Sequence, residues 1–296
     1  MTHEEAFIQA IRESPADDAP RLIYADWLEE HGQADRAEFI RVQSRLPGLT
    51  HEDPERTILL ARAASLLRRN WNEWVGPLRD IVGPWRDRYG ERWLGEEYDA
   101  ESLRRFHRGF VDGLFLDTDS FLHHASDLRL LIPRLHTLHL WRAGGRARAL
   151  ANAPELAGVT VLAFPDYYDA PLTVHDAIEL AASPYLHGLS VLRLGWNSLG
   201  DRGVEALAGA LWLASVIELD LSDNGLSDRA AHLLAASPYL RNLRTLRLGR
   251  NYISADGVAA LTNSAYLRNL KHLECNSGSQ QDPSSRAILL GGAQRP

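Results

Sequence analysis

Leu192, Leu219, Leu246 and Leu273 are evenly spaced along the chain, and each occupies the same place in the same local frame. The frames run LSVLRLGWNSL from Leu189, VIELDLSDNGL from Val216, LRTLRLGRNYI from Leu243 and LKHLECNSG from Leu270. The shared pattern is L-x-x-L-x-L-x-x-N-x-L. Side chains alternate faces along a strand, so the second and third Leu of each frame share one face. The residue between them points the other way. The Asn then takes the chain out of the strand, where its side chain can bond backbone groups of the turn. One such unit cannot bury its own apolar face. Stacking on further copies can, so the period commits the chain to a repeat array.

The interval from one Leu to the next leaves room for a helix on the return leg. DRGVEALAGALW, DRAAHLLAASPYL and ADGVAALTNSAYL fill that slot with apolar residues three and four apart. Asp201, Asp228 and Asp256 are its candidate helix-start residues. Upstream the spacing loosens: Leu162 precedes Leu192 by slightly more than one period, and Leu138 and Leu114 follow at slightly shorter steps back. The turn positions there carry Asp119, Ala143 and Tyr167 in place of Asn. Seven parallel strands would make a sheet about 29 Å wide. The frame and period resemble the leucine-rich repeat, and the helix-bearing legs resemble its ribonuclease-inhibitor type. The expected fold is an α/β leucine-rich repeat solenoid with a parallel sheet on the concave face. Helices line the convex face from residue 172 onward, and an all-α N-terminal region caps the first strand's edge.

Residues 1–107 carry no Leu ruler and read as helices. EEAFIQAIRES, APRLIYADWLEEHG and ADRAEFIRVQSRL are three short ones, and PERTILLARAASLLRRNWNEWVGPL is a fourth and longer one. Pro20 suits a first helical turn and Gly32 a helix stop. The expected small core is Leu22, Ile23, Trp27, Leu28, Phe39 and Ile40, with Val42 and Leu46 extending the stripe. Asp26–Arg21 and Glu38–Arg41 are possible surface ion pairs. DDAPRLIYADWLEEHGQADRAEFIRVQ, residues 17–43, closely resembles the bacterial repeat-companion domain, and FHRGFVDGLFLD, residues 106–117, resembles the junction by which such proteins enter their repeats. The resemblance implies architecture and no activity. The expected division is a helical repeat-companion domain at 1–48, a helical or irregular connecting cap at 49–107, and about seven repeats at 108–296.

Composition narrows the function. A net charge of −7 provides no blanket attraction for nucleic acid or anionic membrane. No apolar run is long enough to span a membrane, and the first residues lack the basic and apolar regions of a signal peptide. The single Cys275 occupies a core slot of the last frame and has no partner for an internal disulfide. Together these features favour the cytoplasm. Asp117-Thr118-Asp119 follows a strand as turn chemistry rather than as a phosphatase nucleophile. His123, His124, His136 and His139 do not form a convergent metal set, because His136 and His139 fall on opposite strand faces. P-loop, dinucleotide, zincin and nucleophile-elbow patterns are missing. No cofactor, metal or catalytic residue is assigned.

The candidate site is therefore a surface. The residue between the two core Leu forms a column: Phe115, His139, Ala163, Arg193, Asp220, Arg247 and Glu274. Its last four members alternate in sign, which suits both a self-neutralising ladder and a recognition strip. The loop ends add Trp141, Arg142, Tyr167, Tyr168, Trp196, Asp223, Arg250 and Tyr252, several of them the types enriched at interface hot spots. Gly195 and Gly249 suggest a shallow notch between Trp196 and Arg250, with Asp220 and Asp223 facing a basic group. Tyr185, Trp212, Tyr239 and Tyr266 recur on the return legs and read as structural. The expected partner-binding set is Trp141, Arg142, Arg193, Trp196, Asp220, Asp223, Arg247, Arg250 and Tyr252. The expected function is non-enzymatic binding of a protein or peptide, with no nucleic acid or membrane partner. A regulator of an enzyme, inhibitor-like or GTPase-activator-like, is the alternative. An enzyme with its site in residues 70–107 is the more distant one.

Overall fold

The structure, a computed structural model, describes residues 2–82, 102–165, 169–275 and 286–289. Most of the Trp-rich and charged stretch RDIVGPWRDRYGERWLGEEYDAE, and Tyr167 and Tyr168, lie outside the described residues. The chain forms two compact units, Met1–Leu116 with His124–His136, and Asp117–His123 with Thr137–Pro296.

The first unit opens with five helices: α1 (His3–Glu13), α2 (Ala19–Glu30), α3 (Ala34–Arg45), α4 (Pro54–Arg69) and α5 (Trp71–Val82). Thr2 and Glu5 close a capping box on α1. Pro20 sits in the first turn of α2, and Gly32, at φ 82°, follows its end. The helix expected as one long element is two, because Asn70 turns the chain. Its side-chain amide donates to the Leu66 carbonyl and to Asp35, each at 2.9 Å, in place of helix continuation.

The core of this unit gathers Ile8, Ile11, Tyr24, Ala25, Leu28, Ala37, Ile40 and Phe110. Phe39, Val42 and Leu46 are buried as expected, but Leu22 and Ile23 are 40% and 57% exposed. The reason is helical phase: Arg21, Tyr24, Ala25 and Leu28 form one face, which turns Leu22 and Ile23 outward. Arg21 is buried because it donates to the carbonyls of Asp17 and Pro15 at 2.6 and 3.0 Å. The surface acids also choose other partners. Asp26 and Glu29 share Arg41 at 2.6 and 2.7 Å, and Glu38 pairs with Arg62 at 2.5 Å.

A hairpin follows, β1 (Phe106–His107) and β2 (Phe110–Val111), turning through Arg108 and Gly109 at φ 50° and 89°. A Cβ on Gly109 would lie 2.6 Å from Ile40 Cγ1 and 2.9 Å from its Cα, so α3 leaves room for glycine alone. Gln43 accepts from the Gly109 N–H at 2.9 Å, and Arg108 donates to Asp18 at 2.9 Å. The FHRGF stretch is thus a hairpin bound to the helices of its own unit. β3 (Gly113–Asp117) comes next, with Leu114 and Leu116 buried.

α6 (Thr118–Leu131) starts on Asp117, whose carboxylate accepts from the Asp119 N–H at 2.9 Å; turn chemistry accounts for this acidic pair. The repeats of the second unit then alternate strand and helix: β4 (Thr137–Trp141), α7 (Ala147–Ala151), β5 (Val161–Ala163), α8 (Val174–Ala181), β6 (Val191–Arg193) and α9 (Gly200–Ala208). They continue as β7 (Glu218–Asp220), α10 (Asp228–Ala236), β8 (Thr245–Leu248), α11 (Ala255–Thr262) and β9 (His272–Cys275). Strands β4 to β9 pair in parallel and in chain order, with Leu138, Leu162, Leu192, Leu219, Leu246 and Leu273 directly opposed. All six are buried. Helices α6 and α7 follow strands upstream of residue 172, whereas return-leg helices were expected only from there onward. A final strand, β10 (Arg286–Leu289), runs antiparallel to β9 and was also unforeseen.

The aspartates at the helix starts work differently from expectation. Ser227 and Ser254 are the N-caps of α10 and α11, accepting from the N–H groups of Arg229 and Asp256. Asp201 and Asp228 reach across to the following repeat, where each accepts from the serine's N–H and hydroxyl: Asp201 from Ser227 at 2.8 and 2.5 Å, Asp228 from Ser254 at 2.7 and 2.6 Å. Trp212 is buried and donates to the Ala181 carbonyl at 3.1 Å, in keeping with its structural reading. Burial pushes the Cys275 thiol up to about 12, so it is a packed apolar group at neutral pH.

Candidate binding face of the repeats

The solvated face of the sheet is set by the frame. Arg193, Asp220, Arg247 and Glu274 stand directly opposite one another on successive strands. The nearest ionic partner of both arginines, however, comes from one row earlier. Glu218 accepts from Arg193 at 3.2 Å and from Arg247 at 2.6 Å, and Arg247 lies 3.7 Å from Glu274. Partial burial works to raise the Glu218 carboxyl, but the Arg247 hydrogen bond and the two guanidinium charges outweigh it and hold it below the usual carboxylate range. Glu218 is the hub that column reasoning missed. Its signal was available, since a residue two before Asp220 on a strand shares its face.

Asp220 spends one carboxylate oxygen on its own turn. Its Oδ1 accepts from the Ser222 N–H at 2.9 Å, and its carboxylate lies over Gly195, where a Cβ would approach Oδ1 to 3.2 Å. Gly195 therefore makes room for Asp220, not for a ligand. His139, one of the upstream members, is pushed down to about 4, first by burial and then by the charge of Arg193. It is a neutral imidazole at pH 7. Ala163, between them in register, is buried.

Past the strand ends the chain repeats an unusual backbone state. Arg142, Trp196, Asp223 and Arg250 occupy equivalent frame positions and all have positive φ, from 52° to 64°. Left-handed backbone is costly for these residue types. In the last three it is held by the asparagine that follows. Asn197 accepts from the Leu172 N–H at 2.7 Å, and Asn224 donates to the Leu194 carbonyl at 2.8 Å. Asn251 accepts from both Asn224 and Leu226 N–H groups at 3.0 Å. Backbone bonds carry the ladder onward, Trp196 N–H to the Ser222 carbonyl at 2.7 Å and Asp223 N–H to Gly249 at 2.8 Å. The side chains displayed here are thus presented by a fixed scaffold.

Three stretches match the Leucine Rich repeat family: residues 187–208, 214–235 and 239–261. These matches support a leucine-rich repeat protein. A comparison with curated proteins finds no match for the chain.

Within these leucine-rich repeats, the Arg250 guanidinium lies 4.5 Å from the centroid of the Trp196 ring. The expected notch between them is closed, because the two side chains stack across the row of Asp223. Among the described residues Arg250 has no acidic partner, and Tyr252 beside it is 64% exposed. Asp223 is half-buried and makes no side-chain bond among the described residues. Upstream, Trp141 is half-buried at the end of β4 and Arg142 lies 3.4 Å from Asp169. The expected residues divide accordingly: Arg193, Asp220 and Arg247 are committed to internal polar bonds, while Trp196, Asp223, Arg250 and Tyr252 form one contiguous rim. Among the described residues no helix is long and apolar enough to cross a membrane, and no group of three or more His, Cys, Asp or Glu converges as for a metal.

Proposed function

We propose that this chain is a cytoplasmic, non-enzymatic interaction module that binds a protein or peptide partner on the concave sheet and its C-terminal loop rim. In this reading the repeats are of the ribonuclease-inhibitor type and the N-terminal helices are a repeat-companion domain. The observation that supports the rim most is the Trp196–Arg250 stack beside the exposed Tyr252. A stacked guanidinium keeps its edge N–H donors for a partner while losing little side-chain freedom on binding. Aromatic and arginine anchors of this kind dominate interface energies. Leucine-rich repeats generally mediate protein–protein contacts, and the three matching repeats carry this rim.

The test is an affinity pull-down with the full chain, compared with a Trp196→Ala/Arg250→Ala bait. Loss of the partner by the double variant is expected. For a purified partner, Trp196→Ala should weaken binding by about 2 kcal/mol or more. Its cost to folding should stay near the about 0.5–1 kcal/mol of an exposed cation–π pair. Equal recovery by a folded double variant would remove the rim from the interface.

A further inference from the structure

The opposite ends of the same strands carry a surface of another kind. Immediately before β7, β8 and β9 the chain passes through Ile217, Arg244 and Lys271, which fall at the same place in successive repeats. These positions are hydrogen-bonded neighbours: Arg244 N–H donates to the Ile217 carbonyl at 2.8 Å and Lys271 N–H to the Arg244 carbonyl at 2.9 Å. Three residues earlier stand Ala214, Arg241 and Arg268. The asparagines that follow the last two fix this second row, Asn242 donating to the Ala214 carbonyl and Asn269 to the Arg241 carbonyl, each at 2.7 Å.

The chemistry changes along these rows. On the repeat that enters β7 the edge is aliphatic, with Leu211 64% exposed and Ile217 39% exposed. On the next two it is cationic. Arg241, Arg244, Arg268 and Lys271 are all exposed, and none has an acidic partner among the described residues. Across residues 187–190, 214–217, 241–244 and 268–271 there is no Asp or Glu. Arg241 lies 5.4 Å from the Tyr266 ring centroid, which orients its guanidinium. In a chain of net charge −7, four unneutralised cations side by side are a local reversal of sign.

We propose that this edge docks an acidic, aliphatic-bearing peptide segment of a partner protein. Carboxylates meet Arg241, Arg244, Arg268 and Lys271, and apolar side chains cover Leu211 and Ile217. Charge complementarity selects an anion. The adjoining aliphatic patch selects a peptide over a nucleic acid, whose phosphate backbone leaves Leu211 and Ile217 unburied. The small cationic width, two neighbouring repeats about 4.8 Å apart, likewise neutralises few phosphates of a long polyanion that the acidic remainder repels. This edge is separate from the Trp196–Arg250 rim, so either can fail alone.

The experiment titrates the full chain with three fluorescent probes: a short peptide alternating Glu and Leu, an oligoglutamate of equal charge, and a single-stranded RNA of equal charge. The Glu/Leu peptide should bind tightest. Arg244→Glu/Lys271→Glu and Leu211→Ser/Ile217→Ser should each weaken it about tenfold or more, while Arg250→Ala leaves it unchanged. All five substituted positions are exposed, and an unaltered melting midpoint confirms that the variants fold. Absence of Glu/Leu peptide binding, tighter binding of the RNA, or peptide binding that ignores both double variants would each overturn the proposal.

Discussion

His139 makes the repeats sensitive to mild acid. It sits on β4, opposite Ala163, with an imidazole pushed down to about 4 by burial and by the Arg193 charge. In the unfolded chain the same group titrates near about 6.5. The native state therefore binds fewer protons than the unfolded state between those values. Stability is complete above about 6.5, falls as pH drops through it, and levels off near the native value of about 4. Integrated from about pH 7 to pH 5, this difference is worth roughly 2 kcal/mol. The assay is urea unfolding at both pH values for the natural chain and for His139→Gln, which cannot titrate. His107 is shifted down by burial as well, so both proteins keep a common background slope. The natural chain should lose about 2 kcal/mol more than the variant over this interval. Identical pH dependence, or a His139 resonance titrating near the unperturbed value, would refute the reasoning.

Three further substitutions probe the scaffold. Leu219→Ala removes a buried Leu opposed by Leu192 and Leu246, and denaturant titration should show a loss of about 2–5 kcal/mol. Gly109→Ala forces a Cβ against Ile40 at φ 89° and should lower the stability of the N-terminal unit by about 1–3 kcal/mol, read as an earlier loss of its helical signal on heating. Asn224→Ala orphans the Leu199 N–H and takes one of two side-chain donors from the Leu194 carbonyl, Asn197 being the other. It should cost about 1–3 kcal/mol and accelerate amide exchange around residues 196–226.

The repeat register was legible because it rests on period alone: a Leu that recurs at a constant interval can be opposed only by its counterpart, and the pairing of Leu192, Leu219, Leu246 and Leu273 follows. Phase on the short N-terminal helices was not legible, because Arg21 looks polar and Ile23 apolar until Pro15 and Asp17 are seen to offer carbonyls to the arginine. Inter-repeat polar bonds were half legible. Asn at the turn announces itself by position, whereas Asp201 and Asp228 look like ordinary helix starts until the neighbouring serine is placed beside each.

The same distinction decides how the binding face should be understood. Charged residues in a column invite a recognition reading, yet parallel pairing brings them within bonding distance of one another, and Glu218 then draws in both Arg193 and Arg247. A partner that recruited either guanidinium would first have to break its bond to the half-buried Glu218, which costs more than meeting a group with no acidic partner. Trp196, Arg250 and Tyr252 demand no such exchange. Trp196 and Arg250 hold each other in place, Tyr252 stands in solvent, and the Asn ladder fixes the backbone beneath them. Binding energy from this face should therefore concentrate on the rim, with the ladder setting register between repeats.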